Sequence, residues 1–350
     1  MLIDENRGLR PFTTFGIGGP TRWFAEATSE DDIVEATAWA DERGAKLFVL
    51  GGGSNLLVSD DGFDGLVLRV GLRGIESEDR ADGVRIYRAA AGEDWDGFVE
   101  LTVSDGCAGI ECLAGIPGTV GGTPVQNVGA YGQEVAAAIE RVRVFDLLER
   151  GFVELAAEEC GFAYRRSRFN SSDRGRFVVT RVDYKLTPGG AATLKYADLQ
   201  RAFAGDAQPR LTDVAAVVRR VRQAKGMLMV EGDADCRSAG SFFKNPVVGD
   251  DELRRIALVS GKEPPRFPAG GGAENVGRVK VPAAWLIEQA GFGKGYALGE
   301  AAVSSKHTLA LINRGGATAR DVLALAGEIT AAVKARFGIE LEKEPVLVGF

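Results

Sequence analysis

The chain has 350 residues, 45% hydrophobic and 26% charged, with a formal net charge of −7 at pH 7. That composition excludes a disordered chain and supplies enough length for two or three packed cores. The acidic balance, without a basic run or face, argues against nucleic acid as a partner and for a small-molecule substrate.

Residues 1–7 lack the charged-then-apolar pattern of a signal peptide, and no apolar stretch is long enough to span a bilayer, so a cytoplasmic protein with no membrane partner is expected. Residues 29–44 read as a helix, with Ser29 as N-cap, Asp32 reaching back to it and Gly44 as the stop. A strand over 46–50 leads directly into a first glycine-rich stretch, Gly51-Gly52-Gly53-Ser54-Asn55-Leu56-Leu57, and a strand over 66–70 completes a small α/β unit. From 84 to 186 the pattern changes to strands over 84–88, 141–145 and 177–184, which predict a mainly antiparallel sheet. A second glycine-rich stretch, residues 115–132, interrupts it, and the two stretches are expected to come from neighbouring domains and meet over one ligand. A helix capped by Thr212 and ending at Lys225-Gly226 is read as opening a third domain, with helices over 282–291 and 318–338 and a strand over 308–312. The Pro- and Gly-rich residues 264–277 read as a surface or mobile loop. Cys107, Cys112, Cys160 and Cys236 have no C-x-x-C spacing, and His307 is the single histidine; reduced, buried thiols and no metal site are expected.

Glycine lets the main chain turn through positive φ and brings N–H groups against an anion with no Cβ in the way, so two such stretches suggest a long, phosphorylated ligand. The first has neither Gly-x-Gly-x-x-Gly opening a helix nor Gly-Lys-Ser/Thr, which removes a Rossmann site and a P-loop. Taken alone it suits an ordinary tight connection as well as a ligand. The second suits either close approach to a ligand or passage through a crowded domain junction.

Four separated motifs stand in order along the chain. They are Gly51 to Leu57; Ile116-Pro117-Gly118-Thr119-Val120-Gly121-Gly122 with Gln126-Asn127 and Gly129-Ala130-Tyr131-Gly132; Tyr164-Arg165-Arg166-Ser167; and Gly240-Ser241-Phe242-Phe243-Lys244-Asn245-Pro246. From Thr13-Thr14-Phe15-Gly16 to Glu344 the chain resembles the family of UDP-N-acetylenolpyruvoylglucosamine reductases, also called UDP-N-acetylmuramate dehydrogenases. The resemblance implies an α+β protein of three domains. Residues 1–70 and 71–211 would form an FAD-binding, vanillyl-alcohol-oxidase-like (PCMH-type) fold, residues 212–338 a C-terminal substrate-binding α/β domain, and strand 339–350 would return to the active site. FAD would lie against Gly51, Gly52, Gly53, Ser54, Asn55, Leu56, Ile116, Pro117, Gly118, Val120, Gly121, Gly122, Thr123, Gln126, Asn127, Gly129, Ala130 and Tyr131. NADPH would reduce it and leave, and the enolpyruvyl substrate would then enter the same site, in a monomeric, cytoplasmic enzyme of peptidoglycan synthesis that serves cell shape and division.

The same resemblance assigns the chemistry. Hydride from flavin N5 adds to the methylene carbon of the enol ether, and the resulting enolate needs a proton at the neighbouring carbon, so an acid and a charge stabiliser are required. Ser241 matches the family's proton donor, Arg165 its clamp on the substrate carboxylate and Glu344 its terminal catalytic glutamate. Glu342 is a rival two positions away, and Pro345 departs from the family's usual Glu-Val-Arg, which puts the local register in question. Tyr164, Tyr196, Lys225 and Asn245 are implied for the sugar nucleotide; Arg222, one turn before Lys225 on the same helix face, is expected to assist at its diphosphate, and His307 occupies a substrate-facing position or is a partly buried histidine at a strand start. Tyr196-Ala197-Asp198-Leu199 looks like the subclass in which a tyrosine loop closes over the substrate. The rival enzyme is a flavin-dependent oxidase or dehydrogenase of sugars or hydroxy acids with the same fold. A catalytically idle flavin or sugar-nucleotide binding protein is the rival from another class.

Overall fold

Ser29 accepts from the Asp32 N–H, and the Asp32 carboxylate accepts from the Ser29 N–H at 2.9 Å, so the first helix, Glu30–Glu42, starts where its capping box predicts. Its Ile33, Ala36 and Ala40 are buried together with Leu66 and Leu68 of a four-stranded sheet ordered Ile3–Gly8, Pro20–Ala27, Phe63–Val70, Leu47–Leu50, whose last two strands are parallel. The computed structural model describes residues 1–205, 208–269 and 276–350. It forms two units: Met1–Arg7, Thr21–Gly53 and Asp64–Gln223 make the first, and Gly8–Pro20, Ser54–Phe63 and Ala224–Phe350 the second.

The antiparallel sheet expected after residue 84 is present in the first unit. Gly151–Ala156, Ile139–Asp146, Phe177–Pro188, Arg85–Ala90 and Ile75–Asp79 lie side by side in that order, all antiparallel, with Cys107–Ala108 paired to the end of the long strand. Alternation along Phe177–Pro188 sends Val178, Val182 and Tyr184 into the core. There Tyr184 meets Trp95 and Phe98 of the helix Trp95–Ser104, which is capped by Asp94.

The helix Leu211–Ala224 begins one residue before the expected cap, Thr212. It buries Leu211, Val214, Ala215, Val217 and Val218 in the first unit's core. Its apolar stripe therefore closes that unit, where the sequence pattern was read as opening a third domain.

In the second unit the helix Ala319–Phe337 starts at a Thr318–Asp321 capping box and stops at Gly338, whose φ of 68° suits glycine. With the helices Asp250–Ser260 and Ala283–Gln289 it covers an antiparallel sheet of Ala297–Leu298, Ala301–Val303 and Leu311–Asn313. The strand expected over 308–312 thus begins later, at Leu311. In the loop expected over 264–277, Phe267–Pro268 pairs with Val279–Lys280, Phe267 is exposed, and residues 270–275 lie outside the described residues. Val346–Val348 runs parallel to Leu56–Val58. All four cysteines are free and buried. No helix among the described residues is long and apolar enough to cross a membrane.

Candidate active site

Gly51 and Gly52 of the first glycine stretch meet the second stretch within the first unit. A Cβ on Gly52 would lie 2.5 Å from Gly118 Cα, and one on Gly51 would lie 3.0 Å from Thr119 Oγ1, so the loops approach main chain to main chain. The second loop is anchored antiparallel to the start of the helix Trp95–Ser104: Trp95 N–H donates to Gly118 O and Val120 N–H to Glu93 O. Gly121 packs so closely on Ala91 that a Cβ would sit 2.5 Å from the alanine's. Thr123 Oγ1 shares a 2.6 Å hydrogen bond with the Tyr184 hydroxyl. Thr119 Oγ1 is buried and has no hydrogen-bond partner among the described residues. A buried hydroxyl left in this state needs an acceptor or donor from elsewhere, and a cradle of glycine main chain beside it fits a phosphorylated cofactor.

The far end of the loop is held by side chains. Asn127, at φ 46°, donates to Glu134 Oε2 and Ala163 O and accepts from Ala136 N, so its amide fixes the loop from within. Arg222, 8% exposed, donates from Nε to Gly115 O at 2.9 Å and hydrogen-bonds the Tyr131 side chain; Asp96 accepts the Gly115 N–H at 2.6 Å. Burial lowers the Arg222 pKa, against the pull of Tyr131 and Asp96. The residue expected on the substrate diphosphate thus braces both ends of the glycine loop. The Tyr196 ring stands edge-on to Tyr131, 5.1 Å between centroids.

Arg165 sits in a tight turn closed by reciprocal Ala163 and Arg166 main-chain bonds, at φ 54°. Its Nη2 donates to Gly129 O at 2.9 Å, and its guanidinium lies over the Tyr164 ring at 5.4 Å. Left-handed backbone costs a side-chain-bearing residue about 1–2 kcal/mol. Of the five such residues among the described residues, three are Asn127, Tyr131 and Arg165, and strain of this kind gathers at functional sites. Arg168 is occupied by Asp173 at 2.8 Å, and Arg166 is exposed.

In the second unit Ser241 follows Gly240 at φ 70° and precedes the buried pair Phe242 and Phe243. Phe243 bridges antiparallel to Lys343, with Lys244 N–H donating to Glu342 O and Glu344 N–H to Phe242 O. Glu342 is exposed and pairs with Lys244 Nζ, whereas Glu344 is partly buried beside the serine segment. Glu342 is thereby committed to an ion pair at the surface. Pro345 falls where the chain changes partners: Glu344 N–H bonds to Phe242 O and Val346 N–H to Asn55 O, so the missing donor lies between two that are used. The Asn55 amide reaches Glu344 O at 3.3 Å. Asn245 Oδ1 accepts the first N–H of the helix Ala283–Gln289, which makes it a cap.

Residues 232–348 match the family model for the UDP-N-acetylenolpyruvoylglucosamine reductase C-terminal domain, and residues 21–151 match an FAD binding domain. UDP-N-acetylenolpyruvoylglucosamine reductase of Streptomyces coelicolor is 48% identical, aligned over 97% of this chain and 89% of its own length; that of Thermobifida fusca is 46% identical over 99% and 98%. The chain belongs to the UDP-N-acetylenolpyruvoylglucosamine reductase family. The crystal structure of the Thermus caldophilus reductase is similar as well, with a TM-score of 0.66, 27% identity, and 99% and 98% of the two chains covered. Membership bears out the resemblance read from the motifs, the α+β class with its FAD-binding domain, the enzyme class, and FAD and NADPH as cofactors. Within the family motif, Thr119 was not among the residues expected at the cofactor; its lone buried hydroxyl is visible only once the fold is formed.

His307 is partly buried, with the Leu309 N–H donating to its Nδ1 at 3.0 Å. Burial, then Lys225 and Lys294, push its pKa down to about 4, with Glu288 opposing. Unfolded histidine titrates near 6.5. Between those values the unfolded chain binds the extra proton, so stability is retained above about 6.5 and is lost as pH falls toward 4. The His307→Gln variant is therefore expected to lose less melting temperature than the parent between about pH 7 and pH 5. Parallel melting curves across that range would remove His307 as the source of acid sensitivity.

Proposed function

We propose that this chain reduces the enolpyruvyl double bond of UDP-N-acetylenolpyruvoylglucosamine with electrons from NADPH carried by FAD, yielding UDP-N-acetylmuramate for peptidoglycan synthesis. The observation that carries this reading is 48% identity over 97% of the chain to a reductase of that name. Gly51, Gly52, Gly53 and the 115–132 loop, with Thr119, hold the cofactor, together with Ser54, Asn55 and Leu56. The flavin, when bound, supplies hydride to the methylene carbon of the enol ether.

The protein's own side chains complete the addition. Ser241 Oγ gives its proton to the neighbouring carbon; because a serine hydroxyl is a weak acid, it works only where donors or cations stabilise the alkoxide left behind. Arg165 offers a planar, permanently charged fork to the substrate carboxylate, onto which charge moves as the double bond is reduced. Glu344 stabilises or relays the proton at the enol carbon. Tyr164, Tyr196, Lys225, Asn245 and His307 hold the sugar nucleotide, and Arg222 serves it through Gly115 and Tyr131. In function, residues 1–70 and 71–211, closed by the helix Leu211–Ala224, carry the flavin and the rest of 212–338 the sugar nucleotide, with 339–350 returning Glu344 to the serine. The enzyme acts as a cytoplasmic monomer.

Purified protein is expected to be yellow, to bleach with NADPH in the absence of air, and to recover its colour when UDP-N-acetylenolpyruvoylglucosamine is added. Bleaching without recovery would replace this reading with a flavin oxidase or an idle binder.

A further inference from the structure

Glu111 is fully buried, yet it takes no part in the chemistry assigned above. Three neutral donors surround its carboxylate: the Gly109 N–H at 2.8 Å on Oε2, and Gln133 Nε2 and the Thr193 N–H, each at 2.8 Å, on Oε1. Gln133 is oriented by the Cys112 N–H, which donates to its Oε1 at 2.7 Å. Thr193 is gripped at three points. Its N–H goes to Glu111, its carbonyl accepts from Cys112 Sγ at 3.2 Å, and its hydroxyl accepts from Gln133 Nε2 at 3.1 Å. Burial pushes the Cys112 thiol pKa well up, so it stays protonated and able to donate.

A buried carboxylate is costly to keep unless every lone pair has a partner, and this one is used to fasten one loop residue. Thr193 stands three positions before Tyr196, at the entry to the segment that leads into the helix Ala197–Ala202. At its other end that segment rests on the glycine loop: Tyr196 stacks edge-on to Tyr131, and Lys195 Cβ lies where a Cβ on Gly132 would be 2.8 Å away. Gln133 follows Gly132 directly, so the flavin loop and the tyrosine segment are tied to the same buried anion.

We propose that Glu111, with Cys112 and Gln133, is a positioning cluster that pins Thr193 as the fixed base of the tyrosine segment, so that the Tyr196 hydroxyl is delivered to the sugar-nucleotide diphosphate. This rests on the reading that Tyr196 contacts that diphosphate. A pinned base shortens the free segment to Leu194 and Lys195 and leaves the tyrosine few places to go, which lowers the entropy lost when substrate orders it. Glutamine at 111 weakens the pin: with its oxygen toward Thr193 its amide nitrogen faces the Gly109 N–H, turned over it faces the Thr193 N–H, and in either orientation a donor loses its acceptor and the anionic charge at Thr193 is gone.

The test is steady-state and anaerobic half-reaction kinetics of the FAD-loaded enzyme for Glu111→Gln, Tyr196→Phe and the double variant, with Cys112→Ala and Cys112→Ser alongside. Glu111→Gln is expected to raise KM for UDP-N-acetylenolpyruvoylglucosamine roughly tenfold with NADPH bleaching within about twofold of the parent, and to add nothing to KM once Tyr196→Phe is present, as residues acting through one contact do. Cys112→Ala should raise KM in the same direction by about two- to threefold, and Cys112→Ser, which keeps a donor, should not. The cysteine pair carries the test if Glu111→Gln does not fold. An unchanged KM in Tyr196→Phe alone overturns the tyrosine contact itself. A KM rise in Tyr196→Phe together with an equal, multiplicative Glu111→Gln effect in both backgrounds overturns the pin while leaving that contact standing.

Discussion

Ser241→Ala is expected to leave NADPH bleaching of the flavin within a few-fold of the parent while slowing reoxidation by the enolpyruvyl substrate by about 10²- to 10⁴-fold, the range that a positioned proton donor contributes. The split follows from the role proposed for the serine. Reduction by NADPH asks nothing of Ser241, whereas saturation of the double bond cannot finish without a proton at the second carbon. The flanking structure is built to tolerate the change. Phe242 and Phe243 are buried on either side of their main-chain bonds, Phe242 N–H to Leu309 O and Glu344 N–H to Phe242 O, and none of these uses the serine hydroxyl. Alanine keeps that backbone and removes only the oxygen. Stopped-flow absorbance of the two half-reactions reads the result. Equal slowing of both would assign Ser241 to the architecture of its segment.

Much of this was legible from short-range chemistry. Ser29 with Asp32 and Thr318 with Asp321 announce helix starts because capping involves residues three apart, and both boxes form. The antiparallel sheet showed through alternating apolar residues. The helix Asp250–Ser260, which opens with Asp250, Asp251 and Glu252 and stops at Gly261 at φ 68°, carried the same signals and was not read. What the sequence hides is long-range. Leu211–Ala224 has an apolar stripe that says a helix buries one face but not against which unit. Arg222 and Lys225 share a periodicity, yet only packing reveals that Arg222 turns inward to Gly115. Glu342 and Glu344 are equivalent on a strand until Lys244 takes one of them. Glu111 resembles any surface glutamate in sequence, and two of its three partners lie 22 and 82 residues further on.

Arg165→Lys is expected to slow the oxidative half-reaction by about 10²- to 10³-fold, the loss typical when one preorganised donor to a developing anion is removed. The positive charge survives in this variant, so the loss measures geometry: lysine presents a single point of charge where arginine presents a rigid fork. Two features argue that the fork is held for that purpose. The turn keeps Arg165 at φ 54°, a conformation that asparagine or glycine would adopt more readily, and its Nη2 is fixed by Gly129 O while Tyr164 lies under the guanidinium plane. In Arg165→Gly the relief of left-handed backbone, about 1–2 kcal/mol, offsets the lost Gly129 bond and the greater entropy of the unfolded chain, so thermal stability should change little even as the oxidative rate collapses. The bond to Gly129 also touches the flavin loop, and NADPH bleaching is the control for it. If Lys at 165 supports reoxidation at the parental rate, charge alone suffices and the fork has no role; if bleaching falls in step with reoxidation, Arg165 acts by supporting the 129–132 turn and the carboxylate clamp must be sought in another cation.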